Sequence, residues 1–216
     1  MRNLGEIAED IETELDEKDT LREIALKSCR AIVRLSGAAI SAMHKGDEPS
    51  SLIAEARDEV SKLKALVREH DDISSAGFVE AAYQEAAEAC ILLALLGNTD
   101  LPAPEDIDVT PSAYLLGMGD VVGELRRVVL DCLRHDNIEE AVKRLEQMEQ
   151  IFEVLMRFDY PSALVGVRRK QDVARTIIEK TRGDVTVAVR SKRLEEKLGK
   201  LESVGVPKEN EKKKRT

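Results

Sequence analysis

Apolar residues recur at helical spacing along this chain, and reading them from the start predicts a series of helices joined by short breaks. Leu4, Ile7, Ile11 and Leu15 fall on one side of an acidic opening segment, residues 1–18, the pattern of an amphipathic helix. Asp19 or Thr20 is placed to cap a second helix, which runs through Leu21, Ile24, Ala25, Ser28, Ile32, Leu35 and Ala39 to near His44. The run KGDEP (Lys45 to Pro49) is its stop. Ser50 and Ser51 open a third helix ending near His70, and Asp71 to Ser75 form a turn. A fourth, Gly77 to Leu96, is apolar almost all round, which marks the buried centre of a bundle.

Gly97-Asn98 stops that helix, and a proline-containing loop, Leu101 to Pro111, follows. A fifth helix is expected from Ser112 to about His135, a sixth from Asn137 to Phe158, and a break at Tyr160-Pro161. A seventh covers Ser162 to Arg182 with Gly183 as the residue after its end, and residues 184–203 can form one more charged helix. The tail from Pro207, PKENEKKKRT, has the composition of a solvated end. The expected fold is therefore all-α, an antiparallel bundle of about seven helices. It divides into an acidic helix at 1–18, a helical domain at 19–203 and a charged tail at 204–216.

Composition narrows the possible functions. With 216 residues and 43% hydrophobic residues, the chain can bury one sizeable core. The first twenty residues are acidic rather than a secretory leader, and no apolar run approaches the roughly 18 residues of a membrane span. A cytoplasmic protein is expected. Cys29, Cys90 and Cys132 are too widely spaced for a zinc site and odd in number for a disulfide framework, so buried thiols are the plain reading. Tryptophan is absent and Tyr and Phe number three each, which makes base stacking a poor route to nucleic acid. A net charge of −9 excludes a uniformly basic binder, so any RNA would need a local basic stripe.

Two carboxylate pairs in apolar surroundings change the picture most. Glu85 and Glu88 are three apart in QEAAEA, and Asp120 and Glu124 are four apart in YLLGMGDVVGELRR, so each pair occupies one helical face. Like charges so placed repel, and neither pair has a cation on its own helix positioned to neutralise both members. Four converging acids call for a hard divalent cation or for bound protons, and an all-oxygen donor set points to Mg²⁺ or Mn²⁺. The plain alternative is a solvated or ion-paired helix face. A di-iron bundle is disfavoured, because His44, His70 and His135 sit at expected helix ends outside any Glu-x-x-His motif and read as surface or capping residues.

The segment TPSAYLLGMGDVVGELRR (Thr110 to Arg127) resembles the core motif of the translin family, in its factor X branch. Further matches are IALKSCRAI (Ile24 to Ile32), QEAAEA, and DVARTIIEKTRG (Asp172 to Gly183), in the family's order. The resemblance implies an all-helical RNA-binding fold assembled into a hollow homo-oligomer, an octamer, with a magnesium-dependent endoribonuclease site. It implies Glu85, Glu88 and Asp120 as catalytic acids, and with Glu124 as the metal-holding set. One departure is DDISSAGFVEAA (Asp71 to Ala82), where translin proper has a basic, aromatic stretch.

Cleavage also needs cations for the flanking phosphates. Lys27, Arg30 and Arg34 fall on one stripe of the second helix, and Arg126 and Arg127 follow the GEL motif, with Arg30 and Arg127 the strongest candidates. Each has an ordinary surface ion pair as its plain alternative. Lys62, Lys64, Arg68, Arg168, Arg169 and Lys170 are further cations on neighbouring segments. Single-stranded or nicked RNA is the expected substrate, with single-stranded DNA possible; the rival readings are a noncatalytic RNA- or single-stranded-DNA-binding scaffold and a purely structural helical interaction protein.

Overall fold

The computed structural model describes residues 3–204, with side chains to residue 201. Within them the chain forms seven α-helices: α1 (Leu4–Lys45), α2 (Ser50–Val67), the single-turn α3 (Asp71–Ser74), α4 (Gly77–Gly97), α5 (Pro111–Arg134), α6 (Ile138–Leu155) and α7 (Val167–Val204). A 3₁₀ turn, Pro104–Ile107, lies in the connection before α5. The all-α bundle expected from the apolar spacing is what forms. The solvated tail expected from residue 204 lies, from residue 205 on, outside the described residues.

Several element ends differ from the sequence expectation for identifiable reasons. The first two expected helices are one continuous α1 of 42 residues. No glycine or proline separates them, and Thr20, instead of capping, donates its hydroxyl to the carbonyl of Asp16 within the helix. Likewise α7 runs straight through Gly183, where a side chain would meet nothing within 4 Å, and the expected charged helix at 184–203 is its continuation. The start of α7 is Val167 rather than Ser162, and α6 ends at Leu155. The segment between them is held by Gln171, whose amide donates to the carbonyls of Leu155 and Phe158. Gly46 and Asn98 take left-handed backbone conformations that close α1 and α4.

Helix α4 is the bundle's centre, as its unbroken apolar sequence requires. It packs against α1 on one side and α5 on the other, and α5 packs in turn on α6 and α7. Val79, Ala82, Ala87, Ala89, Ile91 and Leu92 of α4 are fully excluded from water, as are Val121, Val122, Leu125 and Val129 of α5. Each large aliphatic so buried stabilises the fold by roughly 1.5–3 kcal/mol. Because the connection 98–110 returns along α2, through Arg57 to the Asp106 carbonyl and Ser61 to Asp108, α5 runs in the same direction as α4. Helices α1 and α7 share that direction, as the pairs Lys18–Asp72 at one end and Arg126–Asp184 toward the other show.

Candidate functional site

Two glycines of the LLGMGD segment set the geometry around Asp120. A Cβ on Gly117 would lie 2.6 Å from the carbonyl oxygen of Gln84 and 3.0 Å from the amide of Glu88, so only glycine lets α5 approach α4 this closely. A Cβ on Gly119 would lie 2.8 Å from that of Lys170, so the second glycine admits α7 from another side. The motif thus gathers Gln84, Glu85 and Glu88 of α4, Asp120 and Glu124 of α5 and Lys170 of α7 into one place.

The two acid pairs meet different surroundings there. Asp120 accepts a 2.6 Å hydrogen bond from the Gln84 side-chain amide on one oxygen and is ion-paired with the Lys170 ammonium on the other. Glu124 is bonded to Nε2 of His44, whose side chain is only 7% exposed. Glu88 is 8% exposed and has no hydrogen-bond or ion-pair partner among the described residues. Burial, reinforced by the charges of Asp120, Glu85 and Glu124 and opposed by Lys170, pushes its carboxyl up to about 8. Glu85 is raised by the same burial and by Asp120, against the opposing pull of Lys170.

All four acids singled out in the sequence therefore lie within electrostatic reach of one another. As their side chains stand, no three acids, histidines or cysteines among the described residues converge into a metal-holding group. Two side chains of the site escaped the sequence reading. Lys170 was grouped with phosphate-binding cations but ion-pairs with Asp120. His44 lies at a helix end as expected, yet it is no surface or capping residue: it is buried against Glu124. By helical period it falls within about 40° of Arg30, on the side of α1 that carries the candidate cations, and its burial comes from the packing of α5.

That stripe is exposed: Lys27, Arg30 and Arg34 have no ion-pair partner among the described residues, and neither does Arg127. Arg127 lines an open cavity of about 510 Å³ together with His44, Met43 and Leu96. Arg126 differs, being committed to Thr181 and Asp184 of α7. Its 24% side-chain exposure and two partners make it a brace between α5 and α7. His70 and His135 lie away from the acids. His135 pairs with Asp131 at the end of α5.

Comparison with known proteins decides the family. The translin family model matches residues 18–183, which spans α1 from Lys18 through the packed part of α7. The chain belongs to the translin family. A curated relative, the uncharacterized protein MJ0175 of Methanocaldococcus jannaschii, is 33% identical over 192 residues, covering 87% of this chain and 85% of its own length. Two solved structures share the fold at a TM-score of 0.79: AfC3PO at 36% identity and an AfC3PO–duplex RNA complex at 35%, each covering 85% of this chain and 97% of the other. Apo-NeC3PO, at 22% identity and a TM-score of 0.76 over 87% of this chain and 98% of its own, shares the fold. No helix among the described residues of this translin-family chain is long and apolar enough to cross a membrane.

Proposed function

We propose that this chain is a divalent-metal-dependent endoribonuclease acting within a homo-oligomeric shell. One observation carries the reading: Glu88 is a buried carboxyl without a hydrogen-bond or ion-pair partner among the described residues, surrounded by three further acids on two helices. Such an arrangement raises the energy of the ionised site, and a helix that needed only packing would carry an apolar residue there. The donor set fits a hard cation, since Glu85, Glu88, Asp120 and Glu124 offer oxygen only and Glu88 has no competing partner.

Mg²⁺, with Mn²⁺ as the alternative, would be held by those four acids and would supply charge stabilisation and a bound water of lowered pKa. The chain's own residues do the rest. Gln84 and Lys170 fix the Asp120 carboxylate in orientation, and His44 does the same for Glu124. Glu88 gives up its proton as the site fills, because a carboxylate ligand must be ionised. Arg127 and the Lys27–Arg30–Arg34 stripe grip phosphates on either side, giving sequence-independent affinity. RNA as the ligand is supported by AfC3PO, related at 35% identity over most of this chain and solved with duplex RNA.

One observation favours the noncatalytic scaffold instead: Asp120 and Glu124 already have protein partners, Lys170 and His44. The two readings separate in a single assay with the purified full chain and end-labelled RNA. The nuclease reading expects internal cleavage with Mg²⁺ or Mn²⁺, arrest by EDTA and no cleavage by Glu88→Gln. RNA binding without cleavage under any of these conditions establishes the scaffold.

A further inference from the structure

Among the described residues, two helical arms extend past the body of the bundle, at opposite ends. From residue 4 to 17 of α1 every side chain is exposed, and so is every one from 190 to 201 of α7. Because α1 and α7 run in the same direction, the first arm leaves the body beside α3 and the second leaves beyond the end of α5. Neither can fold back onto the other within one chain.

The arms share an apolar spacing. In α1, Leu4, Ala8, Ile11 and Leu15 follow each other at four, three and four residues, and the three large ones are 51–60% exposed. In α7, Val187, Ser191, Leu194, Leu198 and Leu201 repeat four, three, four and three, and the four aliphatics are 51–68% exposed. This is the seam of a two-stranded coiled coil. Helices of about 12–15 residues are marginal in water unless such a face is covered.

Charge then selects the partner. Residues 4–19 hold eight acids against one lysine. Residues 190–202 hold five basic residues against three acids, and residues 203–216 add five basic against two acidic. Glu12 and Glu14 flank the α1 seam; Arg190 and Lys197 flank one side of that of α7, with Glu195 on its other side. An arm this acidic repels both a phosphate backbone and another copy of itself. At its root the seam continues into a groove of about 500 Å³ lined by Leu15, Lys18, Arg22, Ile73, Ala76 and Phe78, a floor on which an incoming helix can end.

We infer that the acidic arm of α1 in one copy packs along the basic arm of α7 in a second copy. The contact joins unlike ends of two chains, so it is heterologous and propagates until the copies close on themselves. It rests on the homo-oligomeric part of the proposed function and not on its chemistry, since none of its residues belongs to the acid site.

Charge exchange in the full-length chain tests it by sedimentation velocity, without RNA. Each of E12K/E14K and R190E/K197E should weaken assembly at least about tenfold, and combining all four should restore most of it. Carbodiimide cross-linking of the wild type should yield interchain peptides joining residues 6–19 to Lys192, Lys197 or Lys200. The inference is overturned if both double variants assemble like the wild type, or if the quadruple variant assembles no better than either double. Cross-links confined to like arms also overturn it. So does an R190E/K197E variant that loses only RNA affinity, which would give the basic arm to nucleic acid.

Discussion

The two carboxylate pairs are equally acidic in sequence and unequal in structure. On α5, Asp120 and Glu124 each have a partner, the Lys170 ammonium and Nε2 of His44, recruited from helices distant in the chain. On α4, Glu85 and Glu88 feel the pull of Lys170 but form no ion pair or hydrogen bond among the described residues, and Glu88 sits deepest with its carboxyl raised to about 8. A paired carboxylate is explained by its partner. An unpaired one among other acids holds a proton or takes a cation in its place, so the α4 pair carries the functional argument while the α5 pair is held by neighbouring side chains.

The largest effect expected is on cleavage. Glu88→Gln and Asp120→Asn keep shape and should each lower the rate about a thousandfold or more, roughly 4 kcal/mol of transition-state stabilisation. A Glu88→Gln enzyme with full activity would reduce the difference between the pairs to packing alone.

Next comes the pH dependence of stability in chelator. Glu88 titrates near 8 when folded and near 4.5 as an ordinary glutamate, so above pH 4.5 the folded state holds a proton that the unfolded chain releases. Its contribution is fully present below pH 4.5 and is lost as pH rises through 8. Glu88→Gln should therefore be more stable than wild type at pH 8.5, by on the order of a few kcal/mol, with the gap closing toward pH 5. Thermal melts at the two pH values check it. Equal melts at both would show that Glu88 is not held away from water.

Gly117 and Gly123 sharpen the comparison on a single helix. Gly117→Ala forces its methyl against the α4 backbone and should cost about 1–3 kcal/mol. Gly123→Ala, with nothing within 4 Å, should gain roughly 0.5–1 kcal/mol. Denaturant midpoints distinguish them. If both substitutions stabilise, the close approach of α5 to α4 is not real. The smallest effect belongs to Arg127→Glu, which should flatten the salt dependence of RNA binding by about one unit of slope. An unchanged slope would take the RNA away from this side of the acids.

Much of this was legible in the chain. The run from Gly77 to Leu96 has too few polar residues to face water, which fixed α4 as the centre. The acids stood out because they interrupt apolar faces. What spacing could not show is which distant residue turns toward which acid. Lys170 lies 50 positions from Asp120, and His44 lies 80 from Glu124. Both pairings depend on α4 and α5 running in the same direction, which the return path of the 98–110 connection sets and no local pattern encodes. The continuity of α1 and α7 was missed because a good cap residue and a glycine each signal an end that tertiary context overrode.

The central claim is that both pairs form one cation site in which Glu88 is the last acid to ionise. Calorimetric titration of the metal-free protein with Mn²⁺ at pH 7, in two buffers of different ionisation enthalpy, measures affinity and proton release together. Saturable binding with release of about one proton, both lost in Glu88→Gln and the affinity lost in Asp120→Asn, is the expected result. Binding of equal strength in wild type and both variants, or no binding at all, would contradict the account.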